Sequence, residues 1–545
     1  METTPLLNGS PPTTLTLLEN GDYGPARSFK EVKSVFWIET VKMWKIAGPI
    51  GFQIMCQYGT MSVTNIFVGH IGNIELSAVT IALAVIGTFS FGFMLGMGSA
   101  LETLCGQAFG AGQIHMLGVY MQRSWIILLS SCFIILPFYI FATPLLKLLG
   151  QEDEIANLAG KFAILIIPQL FSLAITFPTQ KFLQAQSKVN VLAWIGFVTL
   201  IFHVGILWLF LFVFDWGTTG AAIAYDITSW VIALAQVAYV IFWSNEGWHG
   251  FSWLAFKEIW AFVRLSISSA LMLCLEVWYM MSMILLVGHL NNAVIAVGSL
   301  SICMNLNGWE AMLFIGINAA MSVRVSNELG LGHPRAAKYS VYVTVLQSLL
   351  IGLLCMVAII ITRDHFAVIF TSSEEMQRAV AHLAYLLGVT MVLNSVQPVI
   401  SGVAIGGGWQ TLVAYINLGC YYVFGLPLGF LLGYTANLGV MGLWGGMIAG
   451  IGLQTLLLLL VLFRTNWNKE GLQNSRQSKL SSRVIHLQVE QTTERMKKWG
   501  GQDISTDKAS RCCHDFIQKE AAKLLERIQQ EGQAEISTDQ GSREQ

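Results

Sequence analysis

Twelve apolar runs follow one another along the chain, near 44–66, 76–107, 120–142, 157–177, 191–213, 221–243, 265–287, 294–323, 339–361, 379–402, 411–433 and 441–463. Short polar or glycine-rich breaks separate them. A helix rises 1.5 Å per residue, so about 20 apolar residues cross the ~30 Å hydrocarbon core of a bilayer. The pattern predicts an all-α polytopic membrane protein with twelve transmembrane helices. Residues 1–43, with Pro5, Pro11, Pro12 and Pro25, read as a solvated, disordered arm, and residues 464–545 as a polar, disordered tail.

The pattern also repeats. Val68-Gly69-His70 returns as Val287-Gly288-His289, and Gly110-Ala111-Gly112-Gln113 as Gly330-Leu331-Gly332-His333. Pro178 is answered by Pro398, and Gly217-x-x-Gly220 by Gly439-x-x-Gly442, all at offsets of 219 to 222. Two pseudo-symmetric six-helix bundles follow: a first lobe over 44–243, a linker over 244–264 and a second lobe over 265–463. Six is even, so the copies share one orientation and their pseudo-two-fold axis lies along the membrane normal. A ligand site then belongs between the lobes, near the midplane.

Composition sharpens this picture. The 545 residues are 54% hydrophobic and 12% charged, about half the charge fraction of a soluble protein. Of 31 basic and 32 acidic residues, 14 and 12 fall within 464–545. The net charge of −1 offers nothing to nucleic acid. Cys56, Cys105, Cys132, Cys274, Cys303, Cys355 and Cys420 lie in apolar runs and read as small hydrophobes. The polar start, METTPLLNGSPPTT, has no basic segment ahead of an apolar core, so no cleaved signal peptide is expected. Lys and Arg concentrate in loops on the face that carries the termini (Arg123, Lys181, Lys188, Lys257, Arg264, Arg324, Arg335, Lys338), which places both termini in the cytosol.

The candidate chemistry is acidic and central. Glu276 is the only charge in 265–287 and sits at its midpoint; Glu310 is the only charge between Leu290 and Val323. A carboxylate at bilayer depth costs about 3 kcal/mol or more unless it is neutralised or faces a wet cavity. Each acid is therefore a proton or cation site, or else a protonated group bonded to a neighbouring helix. Asn305, Asn307, Asn394 and Gln397 are candidate cavity-lining amides, and Tyr279 lies one turn from Glu276, where it either faces the cavity or packs. Asp226 and His203 are candidate proton-relay groups; their alternatives are a helix-end acid and a core histidine. Pro49 and Pro398 are candidate hinges, since each removes a backbone donor from its helix. Glu102 and Glu328, near helix ends, are expected to pair with Arg123, Arg324 or Arg335.

The run from Gly96 to Ala111, GMGSALETLCGQAFGA, resembles the signature that ends the second helix of eukaryotic multidrug and toxic compound extrusion (MATE) transporters. Val323-Arg324-Val325-Ser326-Asn327-Glu328-Leu329-Gly330, Phe182-Leu183-Gln184-Ala185-Gln186 and Tyr415-Ile416-Asn417-Leu418-Gly419 also resemble that family, in its plant DETOXIFICATION branch. The resemblance runs from about residue 30 to 470, while 471–488 looks like an insertion and the end beyond about 509 matches nothing. It implies the MATE fold, with Glu276 and Glu310 in a second-lobe cation site. It also implies antiport of small organic compounds, such as flavonoids, alkaloids or xenobiotics, against protons by a monomer. The vacuolar membrane is expected ahead of the plasma membrane.

Other classes fit less well. No phosphate-binding Gly-x-x-x-x-Gly-Lys motif is present, so an ion gradient must drive transport. A flippase of lipid-linked precursors would need basic residues deep in its cavity, and none lies near a helix centre. An enzyme would need a metal cluster such as His-Glu-x-x-His or a paired nucleophile and base; neither occurs, and no metal or cofactor is expected. A gated ion channel remains as an alternative.

Overall fold

The computed structural model describes residues 22–25, 28–244, 247–257, 259–287, 290, 293–371 and 373–471. Among these the chain forms helices and no strand. The long helices are α1 (Phe29–Gly69), α2 (Ile74–Gly110), α3 (Ile114–Ile140), α4 (Asp153–Leu165 and Ile167–Ala185, bent by 49°), α5 (Val189–Val213) and α6 (Gly217–Trp243). They continue as α7 (Ile259–Val287), α8 (Ala293–Leu331), α9 (Pro334–Thr362), α10 (Glu374–Gly407), α11 (Gln410–Thr435) and α12 (Gly439–Arg464). Ten are long and apolar enough to cross a membrane as they stand, and bent α4 makes an eleventh. With α1 they form the twelve-helix bundle expected. The tail beyond residue 471 lies outside the described residues.

The repeat reaches the backbone. Gly112 and Gly332 turn at φ 74° and 79°, Asp215 and Asn437 at 52° and 55°, and Gly217 and Gly439 at 54° and 56°. Each pair ends or starts corresponding helices, where a left-handed residue reverses the chain. For Val68-Gly69-His70 the counterparts Gly288 and His289 lie outside the described residues.

The lobes meet through small residues placed symmetrically. We call the end of the bundle where α1 begins proximal. A Cβ built on Gly96 of α2 lies 2.6 Å from Ala270 Cα of α7, and one built on Gly316 of α8 lies 2.8 Å from Gly51 Cα of α1. Further towards the proximal end, Gly110 abuts the Asn327 carbonyl and Gly330 abuts the Gln107 carbonyl. Polar bonds close this level: Gln107 Nε2 donates to Gly406 O (3.4 Å), Asn327 Nδ2 to Ala185 O (3.2 Å), and Gln410 Nε2 to Thr103 Oγ1 (2.7 Å). Among the described residues the hydrogen bonds joining the two lobes all lie at the proximal end, so the molecule is shut there.

The first helix of each lobe starts inside the other lobe. Met43, Ile46, Ala47 and Ile50 of α1 pack with Phe314, Ile317 and Val341 of the second lobe. Phe262 and Ala270 of α7 pack with Met94 and Leu101 of the first. The linker follows its helix: Ser252 N donates to Gln122 Oε1 (2.8 Å), and Arg123 Nη2 to Leu254 O (3.0 Å).

The proximal start of the chain differs from the expected solvated arm. Helix α1 begins at Phe29, well before the apolar run, because Val35, Glu39, Met43 and Ile46 recur at helical spacing on its buried face. Upstream, the carboxylate of Asp22 accepts from Ala336 N (2.9 Å) and Arg335 N (3.1 Å), satisfying free donors at the start of α9. Tyr23 Oη donates to Glu39 Oε1 (2.7 Å), and Glu39 in turn receives Arg324 (2.9 Å). Burial, reinforced by the neighbouring Glu39 carboxylate, pushes the Tyr23 phenol far above its ordinary range, so it remains a donor.

Glu102 corrects a second expectation. Its partner is Lys181 of α4, 2.6 Å away and equally enclosed, and not a loop arginine. Helices α2 and α4 run parallel and bring the two residues to one level. Glu328 does pair with Arg324, and its other oxygen lies 3.1 Å from His333 Nδ1.

Replacing Asp22 with Ala is expected to remove the cap of α9 and cost about 0.5–2 kcal/mol. A lower melting temperature of the purified protein checks this; an unchanged one would make the contact incidental.

Candidate functional site

The two central acids sit on neighbouring helices of the second lobe, and α10 completes their surroundings. Glu276 lies on α7, half-buried, with the side chain of Gln397 beside its carboxyl group. The Gln397 amide nitrogen donates to Ser401 Oγ at 3.2 Å. Gln397 precedes Pro398, whose missing N–H leaves the Asn394 carbonyl without its helical donor. Asn318 Nδ2 donates to the Pro398 carbonyl at 2.6 Å and so fixes α8 against α10 at this level.

Glu310 of α8 is 9% exposed, and both of its carboxyl oxygens are enclosed without a hydrogen-bond partner. Its surroundings include the Cys355 thiol of α9. One turn earlier Asn307 accepts from Asn394 Nδ2 at 3.0 Å, so the two amides bridge α8 and α10 beside the acid. An ionised carboxylate in so apolar a place costs several kcal/mol unless it is paired. Glu310 has no partner for either oxygen, while the buried acids Glu39, Glu102 and Glu328 each meet a basic partner.

Three candidates are placed elsewhere. Tyr279 does not line an open cavity: it is fully buried, stacked on Tyr421 (centroids 4.4 Å apart, planes 7° apart), and donates to Met447 O at 3.1 Å. Small residues there, Gly425 and Gly450, leave room for its ring and draw it between α11 and α12. Asn305 is exposed on the side of α8 that carries Trp309, turned away from the acids. Asp226 of α6 accepts from Gln169 N at 3.1 Å, a donor shared with the Ile166 carbonyl where α4 restarts after its bend.

His203 of α5 is fully buried in the first lobe. Its Nε2 lies 2.9 Å from Thr64 Oγ1 of α1, and its Nδ1 lies 2.8 Å from Thr228 Oγ1 of α6. The imidazole thus ties three helices together, and its bonds do not run to Asp226, so the expected relay does not assemble. Sequence reasoning also missed Gln397 as the neighbour of Glu276; nothing in linear spacing brings α7 to α10.

His203→Phe fills the same space but offers no hydrogen bond. It is expected to lower stability by about 0.5–1.5 kcal/mol through the lost ring hydrogen bonds, since the Thr64 and Thr228 hydroxyls keep their bonds to the Thr60 and Ala224 carbonyls, while gradient-driven uptake per folded molecule stays normal. Melting curves and uptake normalised to membrane abundance read the two effects, and a collapse of normalised uptake would put the ring in a proton path.

Comparisons with known proteins complete the description. The family model described as MatE matches residues 49–209 and 268–431, one match in each lobe. Protein DETOXIFICATION 35 of Arabidopsis thaliana is 72% identical over 496 residues, covering 90% of this chain and 98% of its own. Protein DETOXIFICATION 34 of the same plant is 64% identical over 501 residues, covering 92% of this chain and 89% of its own. The crystal structure of the eukaryotic MATE transporter AtDTX14 superposes with a TM-score of 0.78 at 33% identity, over 82% of this chain and all of that one.

Proposed function

Because this chain belongs to the MatE family of membrane transporters, we propose that it moves small organic compounds out of the cytosol in exchange for protons. The observation that carries the proton coupling is Glu310, an acid enclosed with both oxygens unpartnered. A group held that way changes its charge when the cavity around it is wetted or dried, and a transporter that alternates access does both. Glu276, beside Gln397 on α10, is the second coupling acid.

In this reading the proximal face is cytosolic and the structure is the state closed to the cytosol. Protons arriving from the acidic side neutralise the two acids, and the lobes then part at the Gly96–Ala270 and Gly316–Gly51 contacts. Pro49, at the level where α1 passes from one lobe to the other, and Pro398, beside Gln397, are the bending points. Asn307 and Asn394 follow the charge of Glu310 through their shared bond. Export into the vacuole fits a detoxification role of the kind the relatives' names carry, and it delivers solute into an acidic space. The protein works as a monomer, since the access pathway lies within one chain.

Glu310→Gln and Glu276→Gln are each expected to abolish uptake driven by an imposed pH gradient in vesicles, with membrane abundance close to wild type. Gradient-driven uptake surviving in either variant removes that acid from coupling.

Orientation has its own check. Asp153 opens α4 at the distal end, so Asp153→Cys should react with an impermeant thiol reagent only from the lumenal or extracellular side. Labelling from the cytosol would invert the topology.

A further inference from the structure

The linker between the lobes and the start of α7 present side chains that the transport chemistry leaves unused. The linker backbone is held and not loose. Gln122 of α3 grips it twice, donating from Nε2 to Gly250 O (3.0 Å) and accepting from Ser252 N (2.8 Å). Arg123 Nη2 holds Leu254 O just beyond (3.0 Å). Fixed in this way, the segment turns its rings outward: Trp253, Phe256 and Trp260 are 84%, 57% and 74% exposed. The molecule is shut at this end, so an exposed ring here faces the surroundings and not a passage between the lobes.

The depth of these rings follows from helix length. About 20 residues cross the hydrocarbon core, and counted back from Val287, the distal end of α7, they reach about residue 268. Arg264 and Trp260 fall about one and two turns past that edge. Both lie on one exposed stripe of α7 with Ile267 and Leu271, at successive spacings of four, three and four. The stripe is apolar as it enters the core and turns basic and aromatic at the depth of the headgroups.

Two cations stand there uncompensated. Among the described residues the exposed Lys257 and Arg264 meet no carboxylate, whereas Lys42, Lys181 and Arg324 at the same end are all paired. Glu246 and Glu258 of the linker lie outside the described residues. The repeat marks the same face independently. At an offset of 220, Trp253, Lys257 and Arg264 answer Lys33, Trp37 and Trp44 at the start of α1. Each position is aromatic in one lobe and basic in the other, so both crossing helices begin with cations set beside rings.

We propose that Lys257, Trp260 and Arg264 form a binding site for the headgroup of an anionic phospholipid in the proximal leaflet. The two cations share the phosphate, and Trp260 stands between them at the depth where indole rings settle in a bilayer. Trp253 and Phe256, with ring centroids 5.7 Å apart, flank the glycerol region. A zwitterionic headgroup brings its own ammonium and gains less from the pair of cations. The occupant is a lipid and not free phosphate, because the site opens sideways and continues into the apolar stripe of Ile267 and Leu271. Such a lipid touches the linker, which is bonded to the first lobe, and the first helix of the second lobe together. In the orientation proposed above, its leaflet is the cytosolic one, whose anionic lipids give it a negative surface.

The test titrates the purified, delipidated full-length protein with phosphatidylglycerol or phosphatidylcholine and counts bound lipid by native mass spectrometry. Wild type is expected to hold phosphatidylglycerol about tenfold more tightly than phosphatidylcholine. Lys257→Gln and Arg264→Gln should each weaken that binding about fivefold. Lys257→Arg and Arg264→Lys should keep it, which separates a lost charge from a lost fold. Lys469→Gln removes another exposed cation at the proximal end and should change nothing. Equal affinity for the two lipids, unchanged affinity in the Lys257→Gln/Arg264→Gln double variant, or an equal loss in Lys469→Gln overturns the site. Displacement of the lipid by excess glycerol phosphate would overturn the lipid as occupant. No transport enters the measurement, so a failure of gradient-driven uptake sinks the proton-exchange reading and leaves this site standing.

Discussion

Backbone meets backbone where the two lobes touch, and the rest of the molecule is arranged around those contacts. Lipid tails are as apolar as leucine, so helices in a bilayer gain from close packing more than from burial, and small residues allow the closest approach. At Gly96, Gly316, Gly110 and Gly330 the neighbouring chain occupies the space a side chain would need. These four contacts set the depth of each helix relative to its counterpart. They place the polar seal at the proximal end. A single added methyl group at one of them would spread the lobes and shift every level beyond it.

The repeat is faithful in backbone and unfaithful in charge, and that difference locates the chemistry. At equivalent positions, 220 residues apart, the first lobe has Glu102 and Lys181 where the second has Ser322 and Ser401. The second lobe has Glu310 where the first has Ser90. Glu102 of the first lobe is compensated by a lysine 2.6 Å away. The second lobe's acid has no such partner. An uncompensated ionisable group inside a bundle is the expensive one.

The crossed starts of α1 and α7 bear on motion. Each helix begins against the lobe it does not belong to, and the polypeptide ahead of it is tied there, by Asp22 and Tyr23 in one case and by residues 250–254 in the other. Opening the proximal end must either break those ties or bend the helices along their length. The Gly48-Pro49-Ile50-Gly51 stretch stands at that crossing in α1. It combines a missing backbone donor with the glycine that touches Gly316.

The twelve spans were legible as apolar runs because a helix in lipid must satisfy its own backbone, and that demand writes itself into composition. The two-lobe repeat was legible for a similar reason: Gly112 and Gly332, or Gly217 and Gly439, hold left-handed turns that few other residues adopt. Glu276 and Glu310 stood out as lone charges in apolar surroundings, which needs no partner to be recognised. Partnership was the part hidden from the linear chain. That Gln397 stands beside Glu276, that Lys181 neutralises Glu102, that Tyr279 stacks on Tyr421 and that Asp22 caps α9 all depend on which helix faces which, and helices that pack side by side can be hundreds of residues apart. The start of α1 was misread because charged residues on its solvent side hid a buried face spaced at three and four. Sequence decided how many helices there are and which groups are costly to bury; only the packing of one helix against another decided which of those costs were compensated and which were left standing.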